Sequence, residues 1–144
     1  MEITIRPIRP EDCQAVTELW NHELGNWDVT TENLAVTLAK MEKAGIYTTL
    51  VALADGRAAG FITMVEVMAA GFPVGYLKIN GLAVKEAFQR QGIGAQLLKA
   101  AEALAAQKGI SHIGLASGFK RTAAHTFYER QGYVKGSYYF SKEV

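Results

Sequence analysis

The sequence predicts a mixed α/β domain in which helices pack on a sheet with antiparallel and parallel parts. Apolar runs rich in strand-forming residues flank the tight turn Asp55-Gly56, which favours an antiparallel hairpin. Further along the chain an amphipathic helix lies between two apolar runs, as is typical of a crossover between parallel strands. The chain has 144 residues, about the size of one domain, and we expect a single domain over residues 1–144.

The first quarter of the chain predicts one strand and two helices. Alternating isoleucines indicate a strand over Glu2–Ile8. Pro10 suits the first turn of a helix that runs to about Leu24. After a break, Thr30 or Thr31 is expected to cap a second helix, and glycine follows it. That helix is predicted over Glu32–Lys43 and ends at Gly45.

The middle of the chain predicts a hairpin and a third long strand. The hairpin strands are expected over Tyr47–Ala54 and Arg57–Met68. Because it contains glycine and proline, the segment Ala69–Gly75 is predicted to be a loop. The third strand is predicted over Tyr76–Val84.

The last third of the chain predicts a helix, a strand, a helix and one or two final strands. The first helix, Gly92–Lys108, has its apolar residues on one face. A strand over Ile110–Ser117, a helix over Arg121–Gln131 and strands within Tyr133–Val144 follow. The predicted order is therefore β-α-α-β-β-β-α-β-α-β-β.

Composition excludes several classes of function. Apolar residues make up 49% of the chain, charged residues make up 20%, and the formal net charge is +1. No basic block favours nucleic acid, and no apolar run approaches the roughly 18 residues of a membrane span. No secretory leader is apparent, so we expect a cytoplasmic location and neither nucleic acid nor membrane as partner. The single cysteine, Cys13, lies at the helical spacing of core residues, which favours packing over chemistry.

The hexapeptide from Gln89 to Gly94 (Gln-Arg-Gln-Gly-Ile-Gly) predicts an anion site. It joins an apolar strand to a helix N-terminus, whose free N–H groups and dipole favour a negatively charged ligand. The dinucleotide fingerprint fails because Leu97 replaces its third glycine. The P-loop fails because the chain has no Gly-Lys-Ser/Thr triplet.

Two motifs together resemble the GCN5-related N-acetyltransferases, the GNAT family. Gln89-x-x-Gly92-x-Gly94 resembles the family's acetyl-CoA signature, and the segment from Ala124 to Tyr133 resembles its C-terminal signature. The resemblance extends from Ile3 to the end of the chain. It implies a GNAT fold with splayed central strands and acetyl-CoA as cosubstrate.

The resemblance also implies where acetyl-CoA binds. Backbone N–H groups from Gln91 to Ala95 would hold the pyrophosphate, and the pantetheine arm would pair with the backbone of Leu82 and Val84. Arg121 stands where the family often has asparagine, which puts the usual contact in doubt. The residues predicted to bind the cosubstrate are Leu82, Ala83, Val84, Gln89, Arg90, Gln91, Gly92, Ile93, Gly94, Ala95, Arg121 and Phe127.

The family's chemistry is attack of an amine on a thioester, which needs a base and an acid. The resemblance assigns the general acid to Tyr128. Many family members carry a glutamate on the strand before the glycine turn, but here Asn80 and Gly81 occupy the nearest positions. Glu66 is the predicted replacement base, because apolar neighbours would raise its pKa. A solvent-facing Glu66 and an ordered water relay remain the alternatives.

The acceptor is expected near the junction of the first two helices. Aromatic side chains beside carboxylates suit a cationic amine. His22 has no second ligand at metal-binding spacing, so no metal is predicted. The residues predicted to bind the acceptor are Trp20, Glu23, Trp27, Asp28 and Asn80.

The sequence thus predicts an N-acetyltransferase for a small-molecule amine. Within the family the chain resembles the aminoalkylphosphonate acetyltransferases. Two alternatives remain open: a protein N-terminal or lysine acetyltransferase of the same fold, and a non-catalytic acyl-CoA-binding module. The segments Tyr138–Phe140 and Ala69–Gly75 are candidates for contacts in a homodimer. The identity of the acceptor amine is left open.

Overall fold

The computed structural model describes residues 1–25 and 28–144. It forms two compact units, Met1–Gly114 and Leu115–Val144. The larger unit contains most of the sheet and three of the helices, and the smaller unit contains the last helix. The single domain over residues 1–144 stays a prediction.

Within the described residues the sheet has five strands, which lie side by side in the order of the sequence. The first four strands pair antiparallel. The last strand follows a helical crossover and lies beside the fourth, where the Leu77 N–H donates to the carbonyl oxygen of His112 at 2.9 Å. The sheet is therefore mixed, as predicted. The strands are β1 Ile3–Pro7, β2 Tyr47–Ala54, β3 Arg57–Ala69, β4 Phe72–Val84 and β5 Ile113–Leu115.

The helices begin and end close to the predicted positions. The Thr30 hydroxyl accepts a hydrogen bond from the Asn33 N–H at 3.1 Å, and the Asn33 side chain accepts one from the Thr30 N–H at 2.8 Å. This reciprocal cap and the left-handed Gly45 at the other end confirm the predicted cap and terminal glycine of the second helix, which is one residue longer at each end than predicted. A 3-10 turn, Pro10–Asp12, precedes the first helix. The helices are α1 Cys13–Leu24, α2 Thr31–Ala44, α3 Ile93–Gln107 and α4 Thr122–Arg130.

The predicted loop over Ala69–Gly75 is wrong. β3 continues to Ala69 and β4 begins at Phe72, so only a two-residue turn separates the strands. Gly75 lies within β4 and is compatible with the pairing of β3 and β4. Gly75 has φ 75°, and a Cβ at that position would collide with the Val67 carbonyl oxygen at an irregularity in the register.

The predicted final strands are also wrong. No residue of the segment 133–144, all of which the structure describes, belongs to a strand. Tyr138 and Phe140 are 78% and 89% exposed. Aromatic residues favour strands because they pack against neighbouring strands. Their presence in this segment was therefore not sufficient to form a strand.

The helices α1 and α3 pack on opposite faces of the sheet. Phe61 belongs to a core cluster with Val16 and Leu19 of α1. Its neighbour Gly60 faces the other way, since a Cβ there would lie 3.4 Å from the side chain of Leu97 in α3. Successive strand residues point to opposite faces, so each strand side chain can be assigned to one of the two helical layers.

Candidate active site

The glycine turn presents unpaired N–H groups at the start of α3. Gly92 is the N-cap with φ 82°, and no side chain of the described chain caps this end. The first bond within the helix runs from the Gln96 N–H to the Gly92 oxygen at 3.0 Å. Residues 93–95 therefore have N–H groups without an acceptor inside the helix. Arg90 also has a positive φ, 62°, a conformation that costs energy outside glycine and is typical of ligand-binding turns.

A carboxylate from α1 fixes this turn in place. One oxygen of Glu23 accepts a hydrogen bond from the Glu86 N–H at 3.1 Å, and the other accepts one from Gln89 Nε2 at 3.1 Å. Gln89 Nε2 also donates to the Val84 carbonyl oxygen at 2.8 Å. The structure thus places Glu23 on the glycine turn, although the sequence predicts it to bind the acceptor. No local signal could have found a contact between residues 66 positions apart.

An extra residue in β4 turns its backbone groups where the strand approaches the glycine turn. Thr63 lies opposite Gly81 and Met64 lies opposite Ile79, so Asn80 has no partner on β3 and forms a bulge.

The bulge reverses the direction of the later backbone groups. The Leu77 N–H points toward β5, whereas the Lys85 N–H donates to the Ala59 oxygen of β3 at 2.7 Å. Without the extra residue, the backbone N–H groups of residues 77 and 85 would point to the same side of β4. Alternation from Lys85 directs the backbone groups of Leu82 and Val84 away from β3. These are the two residues predicted to pair with an extended ligand.

A cavity of about 260 Å³ lies between α1, α2 and the strands β2 to β4. Its helical wall includes Val16, Trp20, Leu34, Leu38 and Met41. Its strand floor includes Tyr47, Thr49, Phe61, Thr63 and Asn80, and Ile8, Val29, Asn33 and Thr37 complete the described lining. Two residues predicted to bind the acceptor, Trp20 and Asn80, are therefore together in this cavity.

Trp20 is held in the cavity wall from two sides. Its ring stacks on the buried Phe61 ring, with centroids 5.3 Å apart and an interplanar angle of 17°. The far edge of the indole lies over Gly81, where a Cβ would come within 2.8 Å of two ring carbons. Gly81 thus leaves the space that the indole occupies.

Asp28, which is also predicted to bind the acceptor, is not brought to the cavity. Asp28 is exposed, and its carbonyl oxygen accepts a hydrogen bond from Asn33 Nδ2 at 2.9 Å. It is not among the described residues that line the cavity. Trp27 lies outside the described residues.

Glu66 lies on the opposite face of the sheet from the cavity. Phe61 and Thr63 face the cavity, so alternation along β3 directs Glu66 toward the α3 layer. One Glu66 oxygen lies 3.2 Å from Nζ of Lys108, which follows the last residue of α3. The structure does not bring the predicted base to the cavity where the acceptor would bind.

The sequence interpretation missed a polar pair on the cavity floor and an apolar stripe on its wall. The hydroxyl oxygens of Thr49 and Thr63 lie 2.8 Å apart in a buried hydrogen bond across β2 and β3. Leu34, Leu38 and Met41 follow the i, i+4, i+7 spacing of one helical face. The apolar face of α2 could have been predicted from this spacing in the sequence.

The smaller unit holds the predicted acid. Tyr128 is half-buried on α4, with its ring centroid 5.4 Å from that of Phe127 and 6.0 Å from that of Tyr133. Burial raises the pKa of the Tyr128 phenol, and the positive charge of Arg121 opposes this shift. The phenol therefore keeps its proton at neutral pH.

A family model described as the acetyltransferase (GNAT) family matches residues 13–133. The chain belongs to this family. Over 67 residues it is 39% identical to the aminoalkylphosphonate N-acetyltransferase of Salmonella typhimurium. That match covers 46% of this chain and 44% of the relative, so the chain spans less than half of that protein in the match.

Two solved structures share the fold. A putative acetyltransferase from Agrobacterium tumefaciens superposes with a TM-score of 0.84 at 23% identity, covering 98% of this chain and 99% of the other. AAC(6′)-Iy in complex with the bisubstrate analog CoA-S-monomethyl-acetylneamine superposes with a TM-score of 0.82 at 18% identity, covering 100% of both chains. At these identities the likeness establishes the acetyltransferase fold alone.

Other classes of site find no support in the described residues. Within residues 1–25 and 28–144, no three His, Cys, Asp or Glu side chains are grouped so that they could hold a metal ion. None of the helices in those ranges is long and apolar enough to cross a membrane.

Proposed function

We propose that this protein transfers the acetyl group of acetyl-CoA to a primary amine of a small molecule by direct attack. The observation that carries the proposal is the arrangement of the larger unit around β4. A glycine turn with unpaired N–H groups follows this strand, and a cavity for an acceptor opens on one face of it. A donor with a pyrophosphate can thus bind at the glycine turn and along β4 at Leu82. An amine acceptor can bind in the cavity beside Asn80.

In this proposal the glycine turn binds the pyrophosphate of acetyl-CoA. N–H groups from Gln91 to Ala95 donate to its oxygens, helped by the dipole of α3. Arg90 flanks the turn, and Arg121 and Phe127 of the smaller unit are further proposed contacts. Gln89 acts through its bond to Glu23, which holds the turn in its binding shape.

The acetyl-pantetheine arm is proposed to extend along β4. The backbone groups of Leu82, Ala83 and Val84 line this path, and the bulge at Asn80 supports it because it turns those of Leu82 and Val84 away from β3. The Leu82 N–H is proposed to donate to the thioester oxygen, which becomes an oxyanion when the amine attacks.

The proton steps follow from the chemistry of attack and departure. The amine nitrogen forms a bond to the thioester carbon, and the C–S bond breaks when the tetrahedral intermediate collapses. Tyr128 is proposed to give its phenolic proton to the leaving thiolate. Glu66 is not assigned the proton lost by the amine, because it faces the α3 layer. An ordered water relay is proposed in its place.

The test of the proposed acid is Tyr128→Phe, with release of free CoA thiol as the measured quantity. We expect turnover to fall about 10²-fold, the usual effect of removing a general acid, while binding of acetyl-CoA is retained. Tyr138→Phe is the matched control, because Tyr138 lies in the same unit and is largely exposed, and its turnover should stay unchanged. Equal turnover of wild type and Tyr128→Phe would remove Tyr128 from the mechanism.

The name of the curated relative makes an aminoalkylphosphonate a first acceptor to assay. Acetylation of 2-aminoethylphosphonate with release of thiol would support this acceptor class. The cytoplasmic location and the homodimer stay predictions. The mass of the protein in solution, measured by light scattering, tests the dimer, and a monomer at assay concentration contradicts it.

A further inference from the structure

We infer that the acceptor is a primary amine on an uncharged, apolar body about the size of one aromatic ring with a short chain. This inference rests on the proposed acetyl transfer and names the class of amine that the cavity selects. It differs from the class that the curated relative suggests, because an aminoalkylphosphonate carries its negative charge next to the amine.

The charge of the cavity lining is the first argument. Every described residue that lines the cavity is apolar or neutral and polar, and none is Lys, Arg, Asp, Glu or His. A phosphonate or a second ammonium group would lose its water there without gaining an ionic partner. Burial of a charge without a partner is strongly disfavoured, so the lining selects against acceptors with a charged body.

The apolar face of α2 is the second argument. Leu34, Leu38 and Met41 lie on the cavity side of this helix, and yet no residue of α2 is buried. Apolar helix faces normally pack against a core. Leu34 already packs in part against the core, and an apolar ligand in the cavity would cover the parts of all three side chains that stay exposed.

The cavity volume sets the size of the acceptor. A cavity of about 150 Å³ lined by aliphatic and aromatic side chains holds benzene. The volume of about 260 Å³ found here therefore accommodates a ring together with a chain of two or three atoms. An acceptor built from several sugar rings exceeds this volume, so most of it would lie outside the cavity.

The polar floor fixes the direction of the amine. The hydroxyl oxygens of Thr49 and Thr63 offer acceptor lone pairs at the strand side of the cavity, opposite the α2 stripe. Thr63 lies opposite Gly81 on β4, beside the bulge at Asn80. An amine on this floor lies next to the strand along which the thioester is proposed to extend, while its apolar body contacts α2.

The direct test compares kcat/KM for acceptors that differ in charge and size, measured by thiol release from acetyl-CoA. We expect 2-phenylethylamine to exceed 2-aminoethylphosphonate, spermidine, an aminoglycoside and a short peptide with a free N-terminus by more than about tenfold. A charged acceptor or the peptide as the best substrate would overturn the inference and leave acetyl transfer intact. No thiol release with any amine would overturn the proposed function itself.

A charge placed in the cavity wall gives a second test. Leu38→Arg is expected to lower kcat/KM for 2-phenylethylamine more than tenfold and to raise it for 2-aminoethylphosphonate. Val36→Arg is the matched control on the same helix, since Val36 is 57% exposed and does not line the cavity. Leu38→Gln changes polarity without charge and should keep the wild-type order of acceptors. An unchanged order of acceptors in a folded Leu38→Arg protein would contradict the inference.

Discussion

The contact between Gly81 and Trp20 gives a sharp prediction about stability. A Cβ at Gly81 would lie 2.8 Å from two carbons of the indole ring and 3.3 Å from the Thr63 methyl group. Ordinary contacts begin near 3.4 Å, so each indole contact is about 0.6 Å too short. The backbone at Gly81 has no positive φ, so alanine causes no backbone strain and its effect comes from overpacking alone.

The indole cannot yield without cost, because its ring stacks on the fully buried Phe61. Overpacking of this kind costs about 1–3 kcal/mol, and we expect Gly81→Ala to lower the free energy of unfolding by about 2 kcal/mol. Urea denaturation followed by tryptophan fluorescence measures this quantity, with the slope of the transition unchanged.

A double-mutant cycle isolates the contact. The two crowded carbons belong to the six-membered ring of the indole, which Trp20→Phe shortens. In the Trp20→Phe background we expect Gly81→Ala to cost less than about 0.5 kcal/mol, which gives a coupling of about 1.5 kcal/mol, within the range for residues in contact.

Gly71→Ala is the control for the glycine change itself. Gly71 lies in the turn between β3 and β4, has no positive φ, and within the described residues nothing lies within 4 Å of its Cβ position. Its substitution should change the unfolding free energy by less than about 1 kcal/mol. An equal cost of Gly81→Ala with and without the indole would refute the packing argument.

Three further predictions concern ionised side chains. Asp12→Asn should destabilise the protein by about 2 kcal/mol at pH 7, measured by urea unfolding, because Arg6 donates to both carboxylate oxygens at 2.7 and 3.1 Å. The hydrogen bonds from Arg6 lower the pKa of Asp12. The difference in unfolding free energy is therefore present above about pH 4 and shrinks as the pH falls through the folded-state pKa of Asp12. An equal difference at pH 2 would contradict this prediction. Glu23→Gln replaces one of the two Glu23 oxygens that accept hydrogen bonds from the glycine turn by an NH₂ donor. It should raise KM for acetyl-CoA several-fold with little change in kcat, measured by steady-state thiol release. An unchanged KM would show that the bond from Gln89 does not shape the turn. Glu66→Gln should keep the wild-type pH–rate profile, and loss of an ionisation on its acidic side would restore Glu66 as the base.

The sequence by itself determined the elements whose signals are local. The Thr30 cap and the terminal Gly45 fixed α2, because capping depends on residues within a few positions. The Asp55-Gly56 turn fixed the hairpin, and the Gln89–Gly94 pattern together with the segment from Ala124 to Tyr133 predicted the family. Each of these features is written in consecutive residues, so no distant partner is needed to recognise it.

Only the tertiary structure decided which side chains share a site. Glu66 has apolar neighbours in the sequence, but strand alternation places it on the face that holds Lys108. Glu23 belongs to the glycine turn through contacts made across 63 and 66 positions. The segment Tyr133–Val144 has the composition of a strand and none of the pairing. Pairing, register and the face on which a side chain lies arise from contacts between distant residues, and a chain read in order carries no local trace of them.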